Sequence, residues 1–198
     1  EIDASLPYSM TCWFQRKPGS VARLPGVLFL LIVPVVCMPT IQTTEINQLL
    51  DPKRVRIGLA GTEKSEVIDA LIDVLAGDDA IDNLEAVRTA IFEREQKMST
   101  GVGKGLGLPH AKTPAVTETV AAFATTKEPV DFGAVDDVPV RLLLLLVGPE
   151  DQKSQHVKIL GRISRLVSRE SLRERLVEAE SPETIIKTLR EGEAELRG

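Results

Sequence analysis

The sequence predicts an α/β (α+β) fold, a mixed β-sheet with helices packed on both faces. Three observations carry this. Val138 to Val147 is apolar almost throughout, the mark of a strand covered on both faces. From Thr40 onward, helical and strand-like patterns alternate along the chain. Several helix starts are written in capping residues, most clearly where Ser181 precedes Pro182, a side-chain cap followed by a residue preset for the first helical turn.

Taken in order, the first forty residues stand apart. Val27 to Met38 reads VLFLLIVPVVCM, an apolar run behind Arg16, Lys17 and Arg23. It is short for a membrane span, and Pro34 interrupts it. We read residues 1–39 as a disordered N-terminal leader or non-native extension, ahead of a start near Met38 and a domain over 40–198. A secretory signal is the second reading and a membrane anchor the third. Beyond it, a short apolar stretch ends at Leu59 to Gly61. Thr62 then caps a helix with Glu63 and Glu66 in its first turn, Val67, Ile68, Leu71, Ile72 and Leu75 as its apolar face, and Gly77 as its stop. Asp82 with Glu85 starts a second helix, whose face is Leu84, Val87, Ala90 and Ile91. TVAAFATT and VPVRLLLLLVG read as strands separated by a turn-rich stretch. Ser154 to Val167 forms the next helix, with Val157, Leu160, Ile163, Ser164 and Val167 inward. Two further helices start at Ser171 and Ser181.

Composition excludes several classes. The net charge is −5 with no long basic block, so the electrostatic footprint of a nucleic-acid binder is missing. Both cysteines, Cys12 and Cys37, fall in the first forty residues, which leaves no disulfide framework or thiolate metal site in the domain and points to a reducing, cytoplasmic setting. The two histidines, His110 and His156, are far apart in sequence and form no His-x-x-x-His pair, so no metal is expected. No cofactor is expected either.

The stretch MSTGVGKGLGLPHAK sets Gly101, Gly103, Gly105 and Gly107 at alternate positions before Pro109 and His110. It is neither a P-loop, since Gly105 follows Lys104, nor a dinucleotide fingerprint, since residue 106 is Leu. The glycines let the backbone approach another surface closely, while Val102, Leu106 and Leu108 anchor the strand. Pro109 removes a ladder donor and fixes the chain before the imidazole. A neutral imidazole aimed from a strand end is a competent nucleophile near neutral pH. The plainer reading, which the local sequence favours, is a turn histidine behind a flexible strand.

The wider stretch EREQKMSTGVGKGLGLPHAK resembles the active-site region of the IIA component of the phosphoenolpyruvate-dependent sugar phosphotransferase system, in its fructose/mannitol class, which includes the nitrogen-regulatory IIA proteins. Glu95, Val102, Gly103, Leu106, Gly107, Leu108, Pro109 and His110 occupy the pattern positions, with Gly107 where the family usually has Ala. LLLLLVGPEDQKSQHVKILGRIS resembles a second landmark, the helix carrying the other histidine. The likeness runs from about Glu45 to Glu193 and makes 40–198 a IIA domain of this type.

The resemblance implies that His110 becomes a tele-phosphohistidine, taking its phosphoryl group from an HPr-type phosphocarrier and passing it to a IIB component or, in a regulatory protein, setting which target is held. It implies that His156 orients the ring and binds phosphoryl oxygens. Arg94, sixteen residues before His110, would neutralise charge. Ser99 and Thr100 would hydrogen-bond the phosphate. Such transfer needs no nucleotide or metal, no nucleic acid, and no insertion of the domain into a membrane.

Overall fold

Strand β6, Val140–Gly148, organises the structure. The computed structural model describes residues 45–196, so the expectations for residues 1–39, including Cys12 and Cys37, lie outside the described residues. Along β6, Leu142, Leu144 and Leu146 enter one apolar cluster, while Leu143, Leu145 and Val147 enter another on the opposite face. The side-chain period of two on a pleated strand makes this separation, and it explains why the run Leu142 to Val147 is apolar at every position rather than at alternate ones.

Strand β5, Val120–Val130, runs antiparallel to β6, and β1, Val55–Leu59, lies parallel on the far side of β5. Three short strands occupy the other side of β6: β2, Gly101–Gly103; β3, Leu106–Gly107; and β4, His110–Lys112. The sheet order is β1-β5-β6-β3-β2, with β4 also paired to β6. Both β3 and β4 are parallel to β6, and they share one register: Leu106 faces Leu142 and His110 faces Leu146. They are one strand interrupted at Leu108 and Pro109. Pro109 has no N–H to give, yet its carbonyl still accepts from the Leu146 N–H at 3.0 Å, so the register survives the break.

One face of the sheet carries α1, Ile46–Leu49; α4, Lys153–Val167; α5, Glu170–Val177; and α6, Pro182–Glu195. The other carries α2, Lys64–Asp73, and α3, Leu84–Lys97. This is the mixed sheet with helices on both faces that the sequence predicts. Val67, Ile68, Leu71 and Ile72 of α2 are buried as expected, and the Ser181 cap accepts from the Thr184 N–H.

The differences are local and have physical causes. The caps of α2 and α3 are Glu63 and Asn83 rather than Thr62 and Asp82. Glu63 forms a reciprocal box with Glu66, and Asn83 accepts directly from the Ala86 N–H. Helix α2 ends at Asp73, before Gly77, and α5 starts at Glu170 behind Arg169. On α4 the inward row is His156, Ile159, Ile163, Leu166 and Val167, leaving Val157 67% exposed and Ser164 on the surface. A histidine holding an inward position disguises the stripe. Val102, expected to anchor its strand, is exposed, because Gly101 and Gly103 take the buried face of β2 and alternation turns Val102 to the other. The glycine track is a hairpin: Lys104 and Gly105, with φ of 56° and 74°, make a two-residue turn between β2 and β3. The Lys104 N–H donates to Asp136 at 2.7 Å, which supports its left-handed backbone.

Candidate active site

His110 opens β4, at the carboxyl end of the interrupted strand. Its Nδ1 lies 2.8 Å from the Leu108 carbonyl oxygen, which can only accept, so Nδ1 carries the proton and Nε2 keeps its lone pair. Pro109 sits between donor and acceptor, and its fixed φ holds the short span that brings the ring back on Leu108. Burial pushes the His110 imidazole below its ordinary pKa. The Leu108 contact opposes this, the Arg94 and Lys112 cations add to the depression, and Glu95 pulls the other way.

His156 comes from the first turn of α4, far from His110 in sequence but next to it in space. The ring centroids are 5.9 Å apart, tilted by 44°. His156 is only 3% exposed. Burial, with repulsion from His110 whenever that ring is protonated and with the Lys112 cation, holds its pKa down at about 4, so the ring is neutral at pH 7. Among the described residues, neither of its ring nitrogens has a hydrogen-bond partner.

Arg94 lies near the end of α3, half-buried, with Nη1 donating to the Met98 carbonyl at 3.0 Å. It and Lys97 place positive charge where the helix dipole favours it. A cavity of about 420 Å³ brings these groups together. Arg94 and Lys97 line it from α3, His110 and Lys112 from β4, and His156, Val157 and Leu160 from α4; Glu93 is its one lining carboxylate. Three permanent cations, two neutral imidazoles and an apolar rim therefore surround a nitrogen lone pair. That arrangement suits the reversible attachment of an anionic group to nitrogen.

Of the residues singled out from sequence, the structure brings His110, His156 and Arg94 to this cavity. It does not bring Ser99 and Thr100 there. The Thr100 hydroxyl and N–H both donate to Glu95, which also pairs with Lys64. The Ser99 hydroxyl donates to the Phe132 carbonyl and accepts from Lys64 and from the Gly101 N–H. These hydroxyls are spent fastening β2 to α2 and α3. Sequence reasoning missed Lys112 and Lys97. Lys112 is two residues beyond His110 on a strand, hence on the same face, and Lys97 is three beyond Arg94 on a helix. Both periodicities were available once the elements were assigned.

An open α/β sheet with a histidine pair in a cationic cleft beyond its strand ends defines a group-carrying protein rather than one with a deep substrate pocket. Comparison with known proteins gives that class its family. Residues 48–192 match the family model for the phosphoenolpyruvate-dependent sugar phosphotransferase system, EIIA 2, and the chain belongs to this family of phosphocarriers. The fructose-specific EIIA component of Haloferax volcanii is 36% identical over 148 residues, which cover 75% of this chain and 96% of that protein. The fructose-specific EIIABC component of Bacillus subtilis is 35% identical over 142 residues, 72% of this chain but only 22% of that longer protein. The crystal structure of nitrogen regulatory protein IIA-Ntr from Neisseria meningitidis superposes with a TM-score of 0.69 at 28% identity, covering 73% of this chain and 98% of that one. Among the described residues, no helix is long and apolar enough to cross a membrane, and no group of three or more His, Cys, Asp or Glu side chains could hold a metal ion.

Proposed function

We propose that His110 carries the phosphoryl group, at Nε2, between an HPr-type phosphocarrier and a IIB component serving carbohydrate uptake in the cytoplasm. The observation that carries this reading is the Leu108 contact, which parks the imidazole proton on Nδ1 and turns the free Nε2 pair toward a cleft bearing Arg94, Lys97 and Lys112. In the accepting step the Nε2 pair attacks phosphorus and the P–N bond to the donor histidine breaks, its electron pair leaving with the donor's nitrogen. The Nδ1 proton stays in place throughout. One P–N bond replaces a similar one, so little driving force is needed, and positioning and charge stabilisation do the work. Arg94 would neutralise phosphoryl oxygens with its planar fork, and His156 would donate to them from its ring N–H. Val157, exposed at the cavity rim beside Leu160, offers apolar surface on which successive protein partners can dock in turn.

The test is incubation with phosphoenolpyruvate, enzyme I and HPr, followed by mass mapping of the phosphate. Wild type should carry one acid-labile phosphate on His110, and His110→Ala none. Acid-labile phosphate retained by His110→Ala would refute the assignment.

A second reading is a nitrogen-type regulatory protein, in which the phosphorylation state of His110 selects a binding target. The likeness to IIA-Ntr favours it. Adding IIB components to the phosphorylated chain separates the two: loss of phosphate supports transport, and retention with all of them supports regulation.

A further inference from the structure

Apart from Arg88, which is ion-paired with Asp69, the buried side-chain polar atoms without a hydrogen-bond partner among the described residues gather at one place: Thr119 Oγ1 and the two ring nitrogens of His156. Thr119 precedes β5 and is 8% exposed; His156 is 3% exposed. The pairing of Val120 with Val147 puts Thr119 next to Gly148 across the sheet, and Lys112 flanks Gly148 on its other side. Gly148 has no side chain, and the notch this leaves is shared. A Cβ there would stand 3.1 Å from His156 Nδ1 and 3.1 Å from Thr119 Oγ1. The two orphan atoms thus border one point, each 3.1 Å from it. Nothing else described lies nearer to it.

We propose that Thr119 is a positioning residue that sets the tautomer of His156, its hydroxyl donating to Nδ1 so that the single ring proton stays on Nε2. A hydroxyl can supply the donor that a bare Nδ1 needs, whereas a carbonyl would force the proton onto Nδ1, as Leu108 does at His110. The two histidines then hold opposite tautomers for complementary jobs. His110 has its lone pair on Nε2 and receives; His156 has its proton on Nε2 and donates to what His110 has received. Burial keeps His156 neutral at pH 7, so its tautomer, not its charge, decides whether it can donate. The donating role rests on the function proposed above, but the tautomer itself does not.

The chain has two histidines, so ¹⁵N-histidine labelling and long-range ¹H–¹⁵N correlation at pH 7.5 resolve both rings, with His110→Ala supplying the assignment. The expected result is a protonated Nε2 and a bare Nδ1 on His156. Thr119→Val should shift proton population to Nδ1, and Thr119→Ser should restore the wild-type pattern. In transfer assays Thr119→Val should slow onward transfer about tenfold, the worth of one buried hydrogen bond, with Thr119→Ser near wild type. A wild-type His156 protonated on Nδ1, or a tautomer unchanged in Thr119→Val, overturns the proposal. Should Thr119→Val fail to fold, the wild-type and Thr119→Ser spectra still decide it. Failure of the tautomer with phosphate still on His110 sinks this inference alone; phosphate on another residue sinks the carrier reading and leaves the tautomer result standing.

Discussion

At Gly148 the backbone φ is open to any residue, so only space forbids a side chain, and the 3.1 Å approaches of His156 and Thr119 are what fill that space. Gly148→Ala should therefore fold, with a melting temperature within a few degrees of wild type, while its displaced His156 ring slows onward transfer about tenfold, measured with a IIB acceptor. Arg94 should be felt earlier in the cycle. Arg94→Ala should slow phosphorylation by phospho-HPr on the order of a hundredfold, and Arg94→Lys should recover part of that, because charge returns without the fork. Glu95 behaves differently. Its side chain is 9% exposed and anchors Thr100 and Lys64, so Glu95→Ala should cost about 1–3 kcal/mol in urea unfolding by leaving the Thr100 N–H and hydroxyl without their acceptor. At this scale the sequence was legible where chemistry is rare. With two histidines and one Pro-His step, His110 could hardly be missed. Ser99 and Thr100 were misplaced because a hydroxyl near a site in sequence says nothing about which carboxylate or carbonyl has already engaged it.

The interrupted strand carries His110, and it packs tightly at Gly107. The family usually has Ala where Gly107 stands here. A Cβ at Gly107 would meet Leu143 Cδ2 at 2.8 Å and Phe132 Cε1 at 2.9 Å, so the fully buried Phe132 ring has taken the methyl's room. Gly107→Ala should accordingly destabilise by about 1–3 kcal/mol, and Phe132→Leu should relieve part of it, read as a double-mutant cycle in urea. The glycine at 107 is thus tied to an aromatic ring twenty-five residues on, a contact that the local sequence does not announce. Strand β6 and helix α6 were legible because unbroken apolarity and a Ser-Pro start each have one structural reading. The β2–β3 hairpin was not, since Lys104-Gly105 lacks the Asn-Gly or Asp-Gly that usually announces such a turn, and its support, Asp136, is distant in sequence. The face of α4 was misread by one position because its first inward residue is a histidine, held there by the site and not by hydrophobicity.

Over the whole molecule, the buried imidazoles tie stability to pH. His156 has a pKa of about 4 in the fold against an ordinary 6.5, mainly because it is buried, with His110 and Lys112 facing it. Its contribution is fully present above pH 6.5. As pH falls from there toward 4, the unfolded chain takes up a proton that the fold refuses, and stability is lost, by about 3 kcal/mol for a shift of this size. His110, also depressed, adds loss of the same sign. Urea midpoints at pH 7.5 and pH 4.5 should differ more for wild type than for His156→Gln; equal differences would mean the buried ring carries no such penalty. The layered architecture has one further effect. Because β4 bonds β6 on one side only and α3 packs along it, the His110 imidazole is displayed from a sheet margin that a helix shutters. A protein meeting the ring there would find no bare strand edge to extend, so the margin does not invite sheet-to-sheet association.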